Sequence, residues 1–215
     1  MSQFEALTQS VLDMEEAQAI EQVTELLAAG ENPQGILDAL SEGMNLVGEK
    51  YGCKEFYLAD LVMAAEIFKQ AMALLEPAMA REGGDARKVL GKIVIGTVEG
   101  DLHDIGKNIF VALARNAGFQ VNDLGIDVPP ATFVEQIKRD GADILGMSGI
   151  LTMSVRPMIR TVELLEEAGL RDRVRVILGG LPVDGRWKET VGADAYTDDA
   201  YQGVKMVEAF MEEEA

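Results

Sequence analysis

The sequence predicts an N-terminal four-helix bundle, residues 1–84, followed by an α/β flavodoxin-like (Rossmann-like) domain, residues 85–215, with a five-stranded parallel sheet. Three observations carry this. Helical periodicity runs from Phe4 to about Arg81. Gly83-Gly84-Asp85 then reads as a linker. After it, short apolar runs alternate with amphipathic stretches to the end of the chain, the grammar of a parallel sheet covered on both faces.

In the first segment Phe4, Leu7, Val11 and Met14 lie on one helical face, and Ile20, Val23 and Leu27 on the next. Gly30 can end that helix, and Asn32-Pro33 reads as N-cap and first helical residue of a third, whose stripe is Ile36, Leu37, Leu40, Met44 and Val47. A longer stripe runs through Leu58, Leu61, Val62, Ala65, Phe68, Met72, Leu75 and Met79, with Met63, Met72 and Met79 read as core packing. In the second segment strands are expected at Val89–Gly96, Gln120–Asp123, Ile144–Met147, Val174–Leu178 and Asp194–Tyr196. Helices are expected over Ile105–Ala117, after Pro129-Pro130, near Pro157–Ala168 and near Gln202–Met211. Five such strands fit the order 2-1-3-4-5, in which ligands bind beyond the carboxyl ends of the strands, so the loops after Gly96, Met147 and Leu178 should converge.

Composition bounds the function. The formal net charge of −18 repels phosphate backbones and anionic lipid surfaces, so neither nucleic acid nor membrane is an expected partner. No apolar run is long enough to span a bilayer, the N-terminus lacks the features of a signal peptide, and Cys53 is the single cysteine, which together favour the cytoplasm.

The three converging loops hold the least ordinary residues. The first reads Glu99-Gly100-Asp101-Leu102-His103-Asp104-Ile105-Gly106-Lys107-Asn108, and His103 is the single histidine of the chain. A neutral imidazole is a good transition-metal ligand when its second nitrogen donates to a carboxylate, which Asp101 could supply. A capping role for Asp101 or Asp104, with His103 a polar loop residue, is the competing interpretation. A zinc site would need three or four protein ligands; a tetrapyrrole-like macrocycle needs one or two axial ones.

Asp101-Leu102-His103-Asp104-Ile105-Gly106 resembles the Asp-x-His-x-x-Gly motif of the cobalamin-binding domains of methionine synthase and the corrinoid methyltransferase systems. That family's pattern continues after about 41 residues with Ser-x-Leu and after about 26–28 more with Gly-Gly. Here 41 residues separate Gly106 from Ser148-Gly149-Ile150, and 28 more separate Ile150 from Gly179-Gly180. The strings Asp-Leu-His-Asp-Ile-Gly-Lys-Asn and Asp123-Leu-Gly-Ile-Asp-Val-Pro129 are similar to the same family, and Ile150 replaces the usual leucine with like bulk. The stretch from Phe56-Tyr57-Leu58-Ala59-Asp60 to Leu75-Glu76-Pro77 resembles the helical cap that precedes the domain, with Ala59 where that helix usually has proline near its start.

The resemblance implies a cap domain over residues 1–84, a cobalamin-binding domain over 85–215, and a cobalamin-type corrinoid whose cobalt takes His103 as lower axial ligand. It implies that Asp101 holds the other ring nitrogen and that Ser154 completes a His–Asp–Ser relay. Asp104, Ile105, Gly106 and Ile150 join the cofactor contacts. Ser148 and Thr152 line the slot for the displaced nucleotide tail, and Gly179 and Gly180 let the tail approach the backbone. Tyr57 and Leu58 are the cap's candidate contacts. Helix capping is the alternative for Ser148, Thr152 and Ser154, and a plain turn for the glycines. Lys107 and Asn108 are given no chemistry. The function implied is a methyl carrier, without catalysis of its own, between a substrate-specific methyltransferase and an acceptor methyltransferase using folate or a thiol coenzyme, with a reductive activator as a further partner. A cobalamin-dependent sensor or regulator and the cobalamin subunit of an adenosylcobalamin mutase are the alternatives.

Overall fold

The helical periodicity of the first segment resolves into α1 Gln3–Leu12, α2 Glu16–Ala28, α3 Pro33–Gly52 and α4 Leu58–Glu82. The structure is a computed structural model and describes residues 2–82, 89–181 and 183–213. The Gly83-Gly84-Asp85 linker assignment lies outside the described residues. The chain divides into two compact units, Met1–Arg87 and Lys88–Ala215.

In the first unit the caps explain the helix starts. Ser2 and Glu5 form a reciprocal capping box on α1, the Asn32 side chain accepts from the Gln34 amide with Pro33 at the first helical position, and Tyr57 N–H donates to Asp60 Oδ2 at the head of α4. The α4 helix therefore starts without the proline usual there. The core is built from Leu7, Val11, Val23, Ile36, Leu40, Met44, Val47, Leu61, Ile67, Phe68 and Leu75. Three expectations are corrected. Met14 lies past the end of α1, in a left-handed turn residue (φ 59°) between α1 and α2. Met63 is exposed, and Met72 and Met79 are half-buried, so the methionine stripe is not core. Leu58 and Val62 are exposed as well: the first turns of α4 point apolar side chains at solvent while Leu61, Ala64, Ala65 and Phe68 fill the bundle.

The second unit carries β1 Lys92–Thr97, β2 Gln120–Asp123, β3 Ile144–Ser148, β4 Arg175–Gly179 and β5 Ala195–Thr197 in one parallel sheet of order β2-β1-β3-β4-β5. Its helices are α5 Ile105–Ala117, α6 Pro130–Asp140, α7 Val155–Glu167, α8 Gly185–Val191 and α9 Ala200–Glu213. The central strands are buried on both faces: Val94, Leu145, Met147, Val176 and Leu178 pack with Phe133, Ile137, Met158, Val162 and Leu165 of α6 and α7, while α5 and α9 pack together. The α8 helix, capped by Asp184 Oδ1, was not anticipated. It is short, and its contribution to the core is Trp187 and Val191. The register sets Thr97 beside Ser148 and Ser148 beside Gly179, so the loops after β1, β3 and β4 leave the sheet at one level. That is the switch point the order predicts.

Candidate functional site: a buried carboxylate under an exposed imidazole

The loop between β1 and α5 is built around a tight turn. Asp101 N–H donates to Val98 O at 3.0 Å, and Gly100 takes φ +81°, a conformation that costs glycine little. Thr97 Oγ donates to His103 O at 2.9 Å and closes the loop over the end of β1. The turn drives the Asp101 side chain inward, where it is fully buried, and leaves the His103 side chain 54% exposed.

Burial of a carboxylate is costly unless every lone pair is used. Asp101 Oδ1 accepts from the His103 ring at 2.7 Å and from His103 N–H at 3.1 Å; Oδ2 accepts from Ile150 N–H at 2.8 Å, Leu151 N–H at 3.2 Å and Ser154 Oγ at 2.8 Å. Burial alone would raise the Asp101 pKa, but the hydrogen bonds from the His103 ring, Ile150, Ser154 and the His103 backbone outweigh it and hold the carboxyl well below the ordinary carboxylate range. Asp101 is thus ionised and acceptor-only at neutral pH. With Asp101 as acceptor the proton of this bond belongs on Nδ1, and Nε2 is engaged by none of the described residues.

The capping interpretation does not hold for Asp104 or Ser154. Asp104 is the N-cap residue of α5 but makes no side-chain cap bond; its Oδ2 accepts from Asn108 Nδ2 at 3.0 Å. Ser154 precedes α7 with no side-chain cap bond, and its hydroxyl is donated to Asp101. Ile150 contributes its backbone N–H to the site. Ser148 is half-buried at the end of β3, and Thr152 is exposed in the 3-10 turn Thr152–Ser154. Ile105 and Gly106 open α5.

The two glycines after β4 differ. A Cβ on Gly180 (φ +139°) would overlap the Gly149 carbonyl oxygen, so this glycine is required by the approach of the β3 loop. A Cβ on Gly179 would meet nothing within 4 Å, so this glycine faces open space beside Ser148. Tyr57 and Leu58 belong to the helical unit and are exposed there.

Two features escaped the sequence reading. Leu102, Ile126, Leu151, Met153 and Leu181, together with Ile105, already expected as a contact, are large apolar side chains exposed between 38% and 80%, all on loops or helix starts beyond the carboxyl ends of the strands. An exposed apolar ring of this kind marks a binding surface. Apolar residues within loops otherwise rich in Gly, Asp and Ser were the available signal. Second, Lys107 is nearly buried and its Nζ reaches Asp123 Oδ2 at 2.6 Å, Asp123 Oδ1 at 2.8 Å and Asn108 Oδ1 at 2.7 Å. Lys107 ties the first turn of α5 to the end of β2, so it has a structural task. A separate cleft bounded by Arg171–Arg175 and Asp194 opens at the other end of the sheet, where Arg171 is already held by Asp194 and by the Gly192 carbonyl.

One free imidazole nitrogen on a buried, fully bonded carboxylate, ringed by exposed apolar side chains, fits a large flat macrocycle that takes a single axial ligand from the protein. Comparison with known proteins decides the family. The B12 binding domain matches residues 91–210, and a second family of the same description matches residues 3–76. The chain belongs to the B12-binding family. This B12-binding protein is 38% identical over 202 residues to a trimethylamine corrinoid protein of Methanosarcina barkeri, covering 94% of this chain and 93% of that one. It is 41% identical over 179 residues to a dimethylamine corrinoid protein of the same organism, covering 82% and 83%. Its structure matches the methanol:cobalamin methyltransferase complex from Methanosarcina barkeri with TM-score 0.81 and 26% identity, over 96% of this chain and 78% of that chain. The protein therefore binds a cobalamin-type corrinoid, a cofactor built around cobalt.

Proposed function

We propose that this B12-binding protein is a methyl carrier in which His103 would hold the cobalt through Nε2. The observation that supports the assignment is the Ser154–Asp101–His103 hydrogen-bond chain, which engages the ring through Nδ1 and leaves Nε2 available. Bound cobalamin supplies a metal centre that can accept a methyl group from one protein and yield it to another. The chain's own residues supply the rest. His103 binds through Nε2. Asp101 would hold the Nδ1 side of the ring and orient it. The Asp101 carboxylate would offset positive charge on the ring whenever the ring is not ligating a metal. Ser154 and the Ile150 and Leu151 amides keep that carboxylate ionised in a buried position. Leu102, Ile105, Leu151 and Met153 provide an apolar bed that excludes water around the ligand.

Ser148, Thr152, Gly179 and Gly180 are proposed to border the nucleotide tail, with the open space at Gly179 as the supporting feature. Tyr57 and Leu58 are proposed as apolar contacts on the helical unit, supported by their exposure. The first partner is a substrate-specific methyltransferase; the trimethylamine and dimethylamine names of the relatives support a methylamine substrate class, and a methyltransferase complex among the structural matches supports docking to such an enzyme. The second partner is an acceptor methyltransferase using folate or a thiol coenzyme, with a reductive activator as a third.

The test is reconstitution with hydroxocobalamin, removal of free ligand and a visible spectrum, beside His103→Ala. The wild type should retain corrinoid with its own base displaced and imidazole on cobalt. The variant should lose that signature and retain corrinoid roughly 10–100-fold more weakly. Equal spectra for the two proteins would refute His103 as the ligand.

A further inference from the structure

Asp127 lies in the loop between β2 and α6, within the family-like string Asp123–Pro129, to which the sequence attached no role. It is exposed and adopts φ +54°, a left-handed conformation that non-glycine residues rarely take and that Asp and Asn tolerate best. An exposed residue in that conformation contributes little to the core, so its contacts give it its role. They are two, and both fall on the turn that carries Asp101. Asp127 Oδ1 accepts from Gly100 N–H at 2.7 Å, and Asp127 N–H donates to Asp101 O at 3.1 Å.

The turn geometry explains why these two bonds matter. In the Val98–Asp101 turn the amide of the third residue, Gly100, points out of the turn and has no partner within it. Gly100 is also the residue with the widest backbone freedom in the loop. Fixing its N–H fixes the Glu99–Gly100 peptide plane, and the bond to Asp101 O fixes the next carbonyl. The direction of the Asp101 side chain follows from those two planes.

The loop bearing Asp127 is itself anchored on both sides. Leu124 N–H donates to Ile95 O at 2.8 Å, Thr97 N–H to Gly125 O at 2.9 Å and Val128 N–H to Thr97 O at 3.0 Å, continuing the β1–β2 pairing past the strand ends. Asp123, gripped by the buried Lys107, accepts from Gly125 N–H at 3.0 Å. Lys107, Asp123 and Asp127 thus form a brace that reaches the outside of the turn while Ser154 and the β3 loop hold the carboxylate from the inside.

We propose that Asp127 is a positioning residue for the axial ligand, clamping the Gly100–Asp101 turn so that the Asp101 carboxylate meets His103 Nδ1. The proposal rests on the assignment of His103 as the cobalt ligand, and its test separates the two. Asp127→Gly permits φ +54° and removes the acceptor; Asp127→Asn permits it and keeps one. Both should match the wild type in far-UV circular dichroism. In the cofactor-free protein, exchange of the Gly100 amide should quicken roughly tenfold or more in Asp127→Gly, the loss of one charge-assisted bond, and return close to wild type in Asp127→Asn. The single histidine gives one set of ring ¹⁵N shifts, which should show a mixture of tautomers in Asp127→Gly and mainly protonated Nδ1 in the other two proteins. With hydroxocobalamin, the ratio of imidazole-on to imidazole-off spectra should fall severalfold in Asp127→Gly and recover in Asp127→Asn. Wild-type exchange, tautomer and spectrum in Asp127→Gly would overturn the proposal while leaving His103 as ligand intact. A wild-type protein with no imidazole coordination would overturn the ligand assignment, and the exchange and tautomer comparison would still decide whether the clamp acts on Asp101.

Discussion

A fully buried carboxylate that accepts five hydrogen bonds is useful when ionised and a liability when its partners are left without it. Asp101→Ala strands the Ile150 and Leu151 amides, the Ser154 hydroxyl and the His103 ring N–H around a small cavity. The expected cost is about 3 kcal/mol of stability, read as a lower urea midpoint of the cofactor-free protein. The same residue gives a pH dependence with a defined sign. In the unfolded chain the carboxyl takes up a proton near its ordinary value of 3.8, whereas in the fold it holds the proton off to lower pH. Its contribution is therefore complete above that value and is lost as pH falls toward the depressed folded value. Unfolding curves of wild type and Asp101→Ala should run parallel from pH 7 to about pH 5 and converge below about pH 4. Curves that stay parallel to pH 3 would mean the carboxyl is not depressed. At this scale the sequence discloses His103, Asp101 and Ser154 through motif and spacing. It shows Asp127, Asp123 and Lys107 within family-like strings but hides what they do, because the partner of Asp127 is a backbone amide and that of Lys107 a side chain at the end of β2, which become neighbours only once the sheet forms.

At the scale of elements, the adjacent glycines after β4 should behave oppositely. Gly180→Ala forces a Cβ into the Gly149 carbonyl in a left-handed conformation, so the β3 and β4 loops must separate; about 2–3 kcal/mol of destabilisation is expected. Gly179→Ala meets open space at the end of β4 and should keep wild-type stability within about 0.5 kcal/mol while retaining less corrinoid, since the new methyl occupies the path proposed for the nucleotide tail. Thermal unfolding and corrinoid retention of the two variants check both halves; equal retention by Gly179→Ala would remove that glycine from the site. Most elements were legible because period and length agree: the four long helices of the first unit and the buried strands carry unambiguous patterns. Those less legible are α8, too short to show a period, and the start of α4. There Leu58, Val62 and Met63 continue a helical stripe but face solvent, and a hydrophobic pattern cannot distinguish a core face from a binding face.

On the scale of the whole molecule, the division at Arg87 and Lys88 separates a helical bundle from an α/β sheet, each with its own buried core. Units of that kind need not unfold together, so a single two-state transition is not the expectation for the cofactor-free protein. The single tryptophan, Trp187, sits on α8 against the core of the sheet unit and reports on that unit. Scanning calorimetry should resolve two transitions, with Trp187 fluorescence following one of them. A corrinoid that binds the folded sheet unit at a hundred times its Kd adds about 2.7 kcal/mol to that unit. For a unit of this size the corresponding transition should rise on the order of 10 °C, read by calorimetry because the corrin absorbs where indole emits. His103→Ala should lose most of this rise, measured from its own cofactor-free transition, which starts lower because the buried Asp101 carboxylate loses the His103 ring hydrogen bond. One coincident transition by calorimetry and fluorescence would show instead that the two cores melt as a single cooperative body. A rise in His103→Ala equal to that of the wild type would place the binding energy in the apolar ring and the tail, with the axial ligand a minor part of affinity.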